Sequence, residues 1–305
     1  MADMDFIRPP ALNKGDTIGI IAPSSHIEPD VLDTGVSVLR DYGFNVFIHP
    51  QTLAREQQSA GTAVEKAAAL HQVFLDPEIK AVIGAGGGNR AVHLLDHLDY
   101  DLIRSNPKIY MGFSDSTALL SAFARKSGLV TFHGPLIKSL ARTEPPCLDF
   151  AFSLLGGKAH DYPLRQAKCL KSGKGQGPLY GGTLSVLCSL IGTPYMPDLT
   201  GAILFLEDVN EELSRIDRML WQLSQAAPFN QLAGLMFGEF INPLDTGRPY
   251  GFTLDDIIKQ HTDGLDIPVV TNAPFGHGSL MYALPVGQQA HLEASAEQTT
   301  LSLPP

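Results

Sequence analysis

The chain is short of cysteine, short of positive charge and free of long apolar runs. Its three cysteines, Cys147, Cys169 and Cys188, are widely spaced and odd in number. None belongs to a CxxC pair, so neither a zinc site nor a disulfide framework is indicated, and a reducing compartment is expected. Lys and Arg total 22 against 32 Asp and Glu, a formal net charge of −10 that no basic cluster offsets. That balance argues against nucleic acid or an anionic membrane as the main partner. No apolar stretch approaches the roughly 20 residues that span a bilayer. The first residues, Met1 to Asp5, lack the positive and apolar segments of a secretory signal. A cytoplasmic location is the expectation. No internal repeat or low-complexity tract interrupts the sequence.

What is present is an alternation. At 305 residues there is room for one large or two ordinary domains. Thr17 to Pro23 reads as a buried strand, Pro29 to Tyr42 as a helix stopped by Gly43, and Asn45 to Ile48 as a strand. Ala63 to Leu75 has the spacing of an amphipathic helix; Ala81 to Gly84 and Ile109 to Gly112 read as further strands. Strands alternating with helices imply right-handed crossovers and an open parallel α/β sheet, with ligands beyond the carboxyl ends of the strands. After about residue 150 the pattern changes. Residues 156–177 are polar and glycine-rich and are expected as a linker, between a domain over 1–155 and a second, β-rich α+β domain over 178–305. Within the second, Gly181 to Leu190 reads as a helix, Ala202 to Leu206 as a strand, and 287–303 as paired strands.

Three segments carry candidate chemistry. In Met111-Gly112-Phe113-Ser114-Asp115 a serine stands at a strand-to-helix turn with glycine two positions before it, the layout of a nucleophile elbow. The competing reading is a helix cap, for which Ser114 and Ser116 are equally suited. The loop Gly84-Ala85-Gly86-Gly87-Gly88-Asn89-Arg90 lacks both the dinucleotide fingerprint and the GK[ST] ending of a phosphate loop. Bare amides beside a nucleophile suit an oxyanion hole instead. Leu204-Phe205-Leu206-Glu207-Asp208 delivers two acids at the end of an apolar strand, and Gly276-His277-Gly278 presents a histidine between glycines. His133 is the main competitor for the base and His26 a weaker one. Serine, histidine and carboxylate are the types nucleophilic catalysis requires, yet spacing alone does not bring them together.

Taken in order, these segments resemble the LD-carboxypeptidase family of serine peptidases, which includes the microcin C self-immunity peptidases. The resemblance also rests on Gly19 to Ser25, Leu95 to Tyr100, Phe132 to Pro135, Gly181 to Ser185, Gly192 to Pro194 and Arg215 to Leu220. It implies a flavodoxin-like first domain, akin to class I glutamine amidotransferases, a smaller β-rich second domain, a homodimer, and no metal or organic cofactor. It assigns the nucleophile to Ser114, the orienting acid to Glu207 and the base to His277. The oxyanion donors carry over to the N–H groups of Asp115 and Gly87. Gly86, Gly88, Asn89 and His133 are the expected substrate contacts. The implied substrate is a small peptide, a muropeptide cut between the L-centre of a diamino acid and a terminal D-alanine. Cell-wall members often carry arginine before the Gly-Gly pair and an aromatic after it, whereas this chain has Ala85 and Gly88. That departure keeps open a peptide–nucleotide conjugate as substrate, with Trp221 or Tyr282 as a stacking platform. A non-catalytic small-molecule binding protein is the third reading.

Overall fold

The computed structural model describes residues 5–158, 160–164 and 166–304. Fourteen strands are found among them: β1 Thr17–Ile21, β2 Asn45–Ile48, β3 Ile79–Gly84, β4 Ile109–Gly112, β5 Thr131–His133, β6 His160–Tyr162, β7 Lys168–Lys171, β8 Gly173–Thr183, β9 Ile203–Val209, β10 Gly234–Ile241, β11 Val269–Thr271, β12 Leu284–Val286, β13 Gln289–Ala294 and β14 Thr299–Leu303. They form two sheets.

The first sheet runs β12-β5-β4-β3-β1-β2. Its five N-terminal strands are parallel and β12 is antiparallel to β5. β1, β3 and β4 are almost wholly buried, which is why they read as continuous apolar runs rather than alternating ones. The Ala63–Leu75 helix begins where a reciprocal Thr62–Glu65 capping box satisfies two of its orphan N–H groups. The Thr117–Ser127 helix ends at Gly128, whose φ of +63° closes the last turn without a Cβ penalty. Ala91 to Leu98, which has helical spacing, forms a 3₁₀ turn over Ala91–His97.

The second sheet runs β6-β14-β13-β8-β9-β10-β11-β7. β8 to β11 are parallel, flanked by antiparallel strands on both sides. β8 serves two neighbours in turn, β13 along Gly173–Pro178 and β9 along Leu179–Thr183. The stretch 156–177 expected as a linker therefore contains β6, β7 and the first half of β8. Two of its glycines, Gly175 and Gly177, are there for close approach rather than flexibility. A Cβ on Gly175 would lie 1.8 Å from the Ala233 carbonyl oxygen, and one on Gly177 would lie 1.9 Å from that of Gly201. The expected helix from Gly181 starts only at Leu184. Gly181 and Gly182 complete β8 instead, at φ +149° and +135°, with Gly181 pressed against the Phe205 backbone.

The sequence-level division into halves is crossed by β12, which leaves the C-terminal half to complete the first sheet. One continuous apolar core runs through both sheets. Cys147, Cys169 and Cys188 form no disulfide. Among the described residues, no helix is long and apolar enough to cross a membrane.

Candidate active site

β4 ends at Gly112, and the chain passes through extended Phe113 into Ser114 at φ +61°. A non-glycine residue held there costs roughly 1–2 kcal/mol and persists only where packing fixes it. The packing is visible at Gly112, where a Cβ would lie 2.8 Å from Ser116 Oγ. Ser116 occupies the cap position of the following helix but makes no side-chain cap hydrogen bond. The cap reading of this motif is therefore not met, and the strained turn has the strand-to-helix layout that a nucleophile elbow requires.

The Gly84–Asn89 loop lies directly against that elbow. A Cβ on Gly87 would sit 3.0 Å from Ser114 Cβ and 3.1 Å from its Oγ, so only glycine lets the backbone come so near the hydroxyl. The Asp115 carboxylate ties the two segments together by accepting the Ala91 N–H at 2.8 Å. Burial pushes this carboxyl up, opposed by the Ser24 hydroxyl, the Ala91 N–H and the Lys66 charge. The backbone N–H groups of Gly87 and Asp115 belong to the two segments that meet at Ser114. Both lie beside Ser114, where an oxyanion would form.

The other two groups come from the second half. Successive residues of a strand face opposite ways, so β9 sends its two acids to different tasks. Asp208 accepts the Ser185 N–H at 2.8 Å and caps the Leu184–Ser189 helix. Glu207 is 0% exposed and its Oε2 lies 2.6 Å from His277 Nδ1. The Thr183 hydroxyl donates to its other oxygen. Burial pushes the Glu207 carboxyl up, but the hydrogen bond and charge of His277, with help from His133 and Thr183, outweigh it and hold the group below the usual carboxylate range. His277 reaches this position because Gly276 takes φ +104° where a Cβ would meet Glu207 Oε2 at 2.7 Å. An ionised carboxylate only accepts, so Nδ1 carries the proton and Nε2 is left as the basic nitrogen.

Ser114 and His277 line one cavity of about 470 Å³ together with Gly86, Gly87 and Gly88. His26 also lines it, with Nε2 3.3 Å from Glu28 Oε1. Two expected contacts are corrected. Asn89 is exposed and does not itself line the cavity; its backbone N–H donates to Ser25 Oγ and its amide to Gln58 Oε1, both at 3.2 Å, and these two partners do line it, so Asn89 braces the wall. His133 is 0% exposed and does not reach the cavity. Neither stacking candidate lines it: Trp221 is 60% exposed on the Leu213–Ala226 helix, and Tyr282 packs against Phe150 and Tyr162. Two cationic residues, Lys138 and Arg142, also line the cavity, and nothing in their local sequence marks them for it.

His133 lies instead behind the pair, in an aromatic nest of Phe113, Phe205 and Phe275. Neither ring nitrogen has a partner among the described residues. Burial pushes its pKa down from 6.5 to about 4, with Glu207 pulling up and His277 pushing down. The folded pKa lies below the unfolded one, so between about 6.5 and 4 the unfolded chain takes up a proton that the folded chain refuses. Stability therefore falls with pH across that window. Replacing His133 with Phe is expected to remove about 2 kcal/mol of the stability difference between pH 7 and pH 5. Denaturant titrations of both proteins at the two pH values check this, and an unchanged slope would rule His133 out as the titrating group.

The family models for the LD-carboxypeptidase N-terminal and C-terminal domains match residues 18–134 and 176–292. A probable murein peptide carboxypeptidase of Bacillus subtilis (strain 168) is 35% identical over 299 residues, which cover 96% of this chain and 93% of that protein. The solved muramoyltetrapeptide carboxypeptidase from Oxalobacter formigenes matches with a TM-score of 0.86 at 30% identity, over 95% of this chain and 99% of that one. The structure of MccF in complex with glutamyl sulfamoyl guanosine matches with a TM-score of 0.88 at 26% identity, over 97% and 98% of the two chains. The chain belongs to the LD-carboxypeptidase family and is an enzyme of that class.

Proposed function

We propose that the protein is a serine carboxypeptidase that removes a terminal D-alanine from the L-centre of a diamino acid in cytoplasmic muropeptides, as part of peptidoglycan recycling. The observation that carries the reading is the His277–Glu207 hydrogen bond of 2.6 Å at the wall of the cavity that also holds Ser114. His277 Nε2 takes the Ser114 proton as the hydroxyl oxygen attacks the amide carbonyl carbon. The oxyanion forms against the Asp115 and Gly87 N–H groups. His277 then gives the proton to the leaving amine, and the C–N bond breaks. Water, activated by the same imidazole, releases the acyl group from Ser114. Gly86 and Gly88 form the wall along which the acyl part lies. This route draws on side chains, backbone and water alone.

The strand order β2-β1-β3-β4-β5 of the first sheet supports the flavodoxin-like label for the N-terminal domain. A homodimer and a cytoplasmic location belong to the same proposal. A second reading, cleavage of an aminoacyl–nucleotide conjugate, is favoured by Ala85 and Gly88 on either side of the Gly86-Gly87 pair. Incubation with a tetrapeptide ending in D-alanine, and separately with an aminoacyl-sulfamoyl adenosine, separates the two. Mass spectrometry should find free D-alanine from the first substrate and little change in the second. Turnover of the second alone overturns the muropeptide reading.

A further inference from the structure

The Ser114 cavity has a neighbour. A second cavity of about 280 Å³ is lined by Arg142, Thr143, Ile241, His277, Gly278 and Met281 among others. His277 and Arg142 line both cavities. The Gly86, Gly87 and Gly88 loop lines only the larger, and so does Lys138. The imidazole thus stands between two compartments of different character.

Hydrolysis at Ser114 fixes which part of a substrate enters which compartment. The carbonyl oxygen must meet the Gly87 and Asp115 N–H groups, so the acyl part lies along the glycine loop. The leaving nitrogen must meet His277 to be protonated, so the leaving residue lies on the imidazole side, away from that loop. The smaller cavity is the one that borders His277 without the glycine loop. Its walls offer the Ile241 and Met281 side chains for an apolar substituent and one cation, Arg142.

Arg142 is the cation that the two cavities share. Its backbone is held by the Arg142 N–H donating to the Ser139 carbonyl at 3.0 Å, and the neighbouring Thr143 hydroxyl donates to the same carbonyl at 2.9 Å. Its side chain is exposed and, among the described residues, has no ion pair; Arg55 and Arg215 by contrast pair with Glu28 and Glu211. In a chain of net charge −10, an unpaired guanidinium at the mouth of a catalytic cavity is against the prevailing sign. Its planar fork matches a carboxylate through two parallel hydrogen bonds.

We propose that the smaller cavity seats the leaving amino acid and that Arg142 binds its free α-carboxylate, which restricts cleavage to the terminal residue. This rests on the hydrolysis proposed above and adds the group that reads the chain end. The test uses two tetrapeptides that differ only in their last residue, D-alanine or D-alaninamide, with the wild-type protein, Arg142→Gln and Arg142→Lys. A charge-assisted contact of this kind predicts that the wild type prefers the free acid by about 10- to 100-fold in kcat/KM. Arg142→Gln should shrink that preference to under about threefold, by losing rate on the acid, while Arg142→Lys keeps part of it. An intact preference in Arg142→Gln, or an equal loss on both peptides, overturns the Arg142 assignment and leaves hydrolysis standing. So does a wild type that cleaves both peptides equally well. A wild type that cleaves neither overturns the hydrolysis reading, and this inference with it.

Discussion

Ser114→Ala is expected to lower kcat by about 10,000- to 1,000,000-fold while leaving the fold intact. Without the hydroxyl there is no acyl-enzyme, and only the Gly87 and Asp115 amides and substrate binding remain to favour the reaction. The same position carries a second, independent expectation. Ser114 sits at φ +61°, where any residue with a Cβ is strained. Alanine keeps its Cβ and hence the strain, so Ser114→Ala should match the wild type in denaturant titration. Ser114→Gly should be as inactive but about 1 kcal/mol more stable than Ser114→Ala. Activity within tenfold of wild type in the alanine variant would place the nucleophile elsewhere. Equal stability of the alanine and glycine variants would mean that the elbow stores no backbone strain.

The strand-to-helix turn at Ser114 could be read from sequence because its requirements are local. A buried strand, a glycine two positions before a serine and a following helix fall within a few residues, and β4 and the Thr117–Ser127 helix appear where the pattern puts them. The parallel strands were legible for a related reason, since burial on both faces leaves β1, β3 and β4 with runs of apolar side chains. The glycine-rich stretch before Thr183 misled because glycine has two uses. It loosens a chain, and it also lets two backbones approach where no Cβ fits, as at Gly175, Gly177 and Gly181. Which use applies depends on neighbours such as Ala233, Gly201 and Phe205, which lie far along the chain.

The placement of Ser114 and the Glu207-bonded His277 on the wall of one cavity was not readable from spacing; only the resemblance to a family set them together. It depends on how the two sheets pack, and on β12 returning to pair with β5. His133 shows the opposite failure. A histidine followed by glycine at a strand end has the local marks of a cavity residue, yet β5 is covered by Phe113, Phe205 and Phe275, so the ring is sealed in. Arg142 gave no local sign at all. An exposed arginine after a short helix is ordinary until the fold sets it on the walls of the same two cavities as the imidazole.

Glu207→Gln is expected to lower kcat by about 10,000-fold, through the tautomer of His277 rather than through lost bulk. The Thr183 hydroxyl donates to one Glu207 oxygen, and His277 Nδ1 faces the other at 2.6 Å. In the glutamine variant the amide oxygen accepts from Thr183, which turns the amide NH₂ toward Nδ1. Nδ1 must then accept, the ring proton moves to Nε2, and the imidazole can no longer take the Ser114 proton. Adding Thr183→Val to Glu207→Gln removes the donor that fixes this orientation. The amide is then free to turn its oxygen to Nδ1, so the double variant should recover about 10-fold over Glu207→Gln alone. The variant also changes the response to acid. The folded pKa of Glu207 is lowered, so the group's contribution to stability is present above its ordinary value of 4.5 and is lost as pH falls through the lower folded value. That acid-side loss should be absent from the unfolding profile of Glu207→Gln. A loss of less than tenfold in kcat, in a variant that folds normally, would mean that Glu207 does not set the orientation of His277.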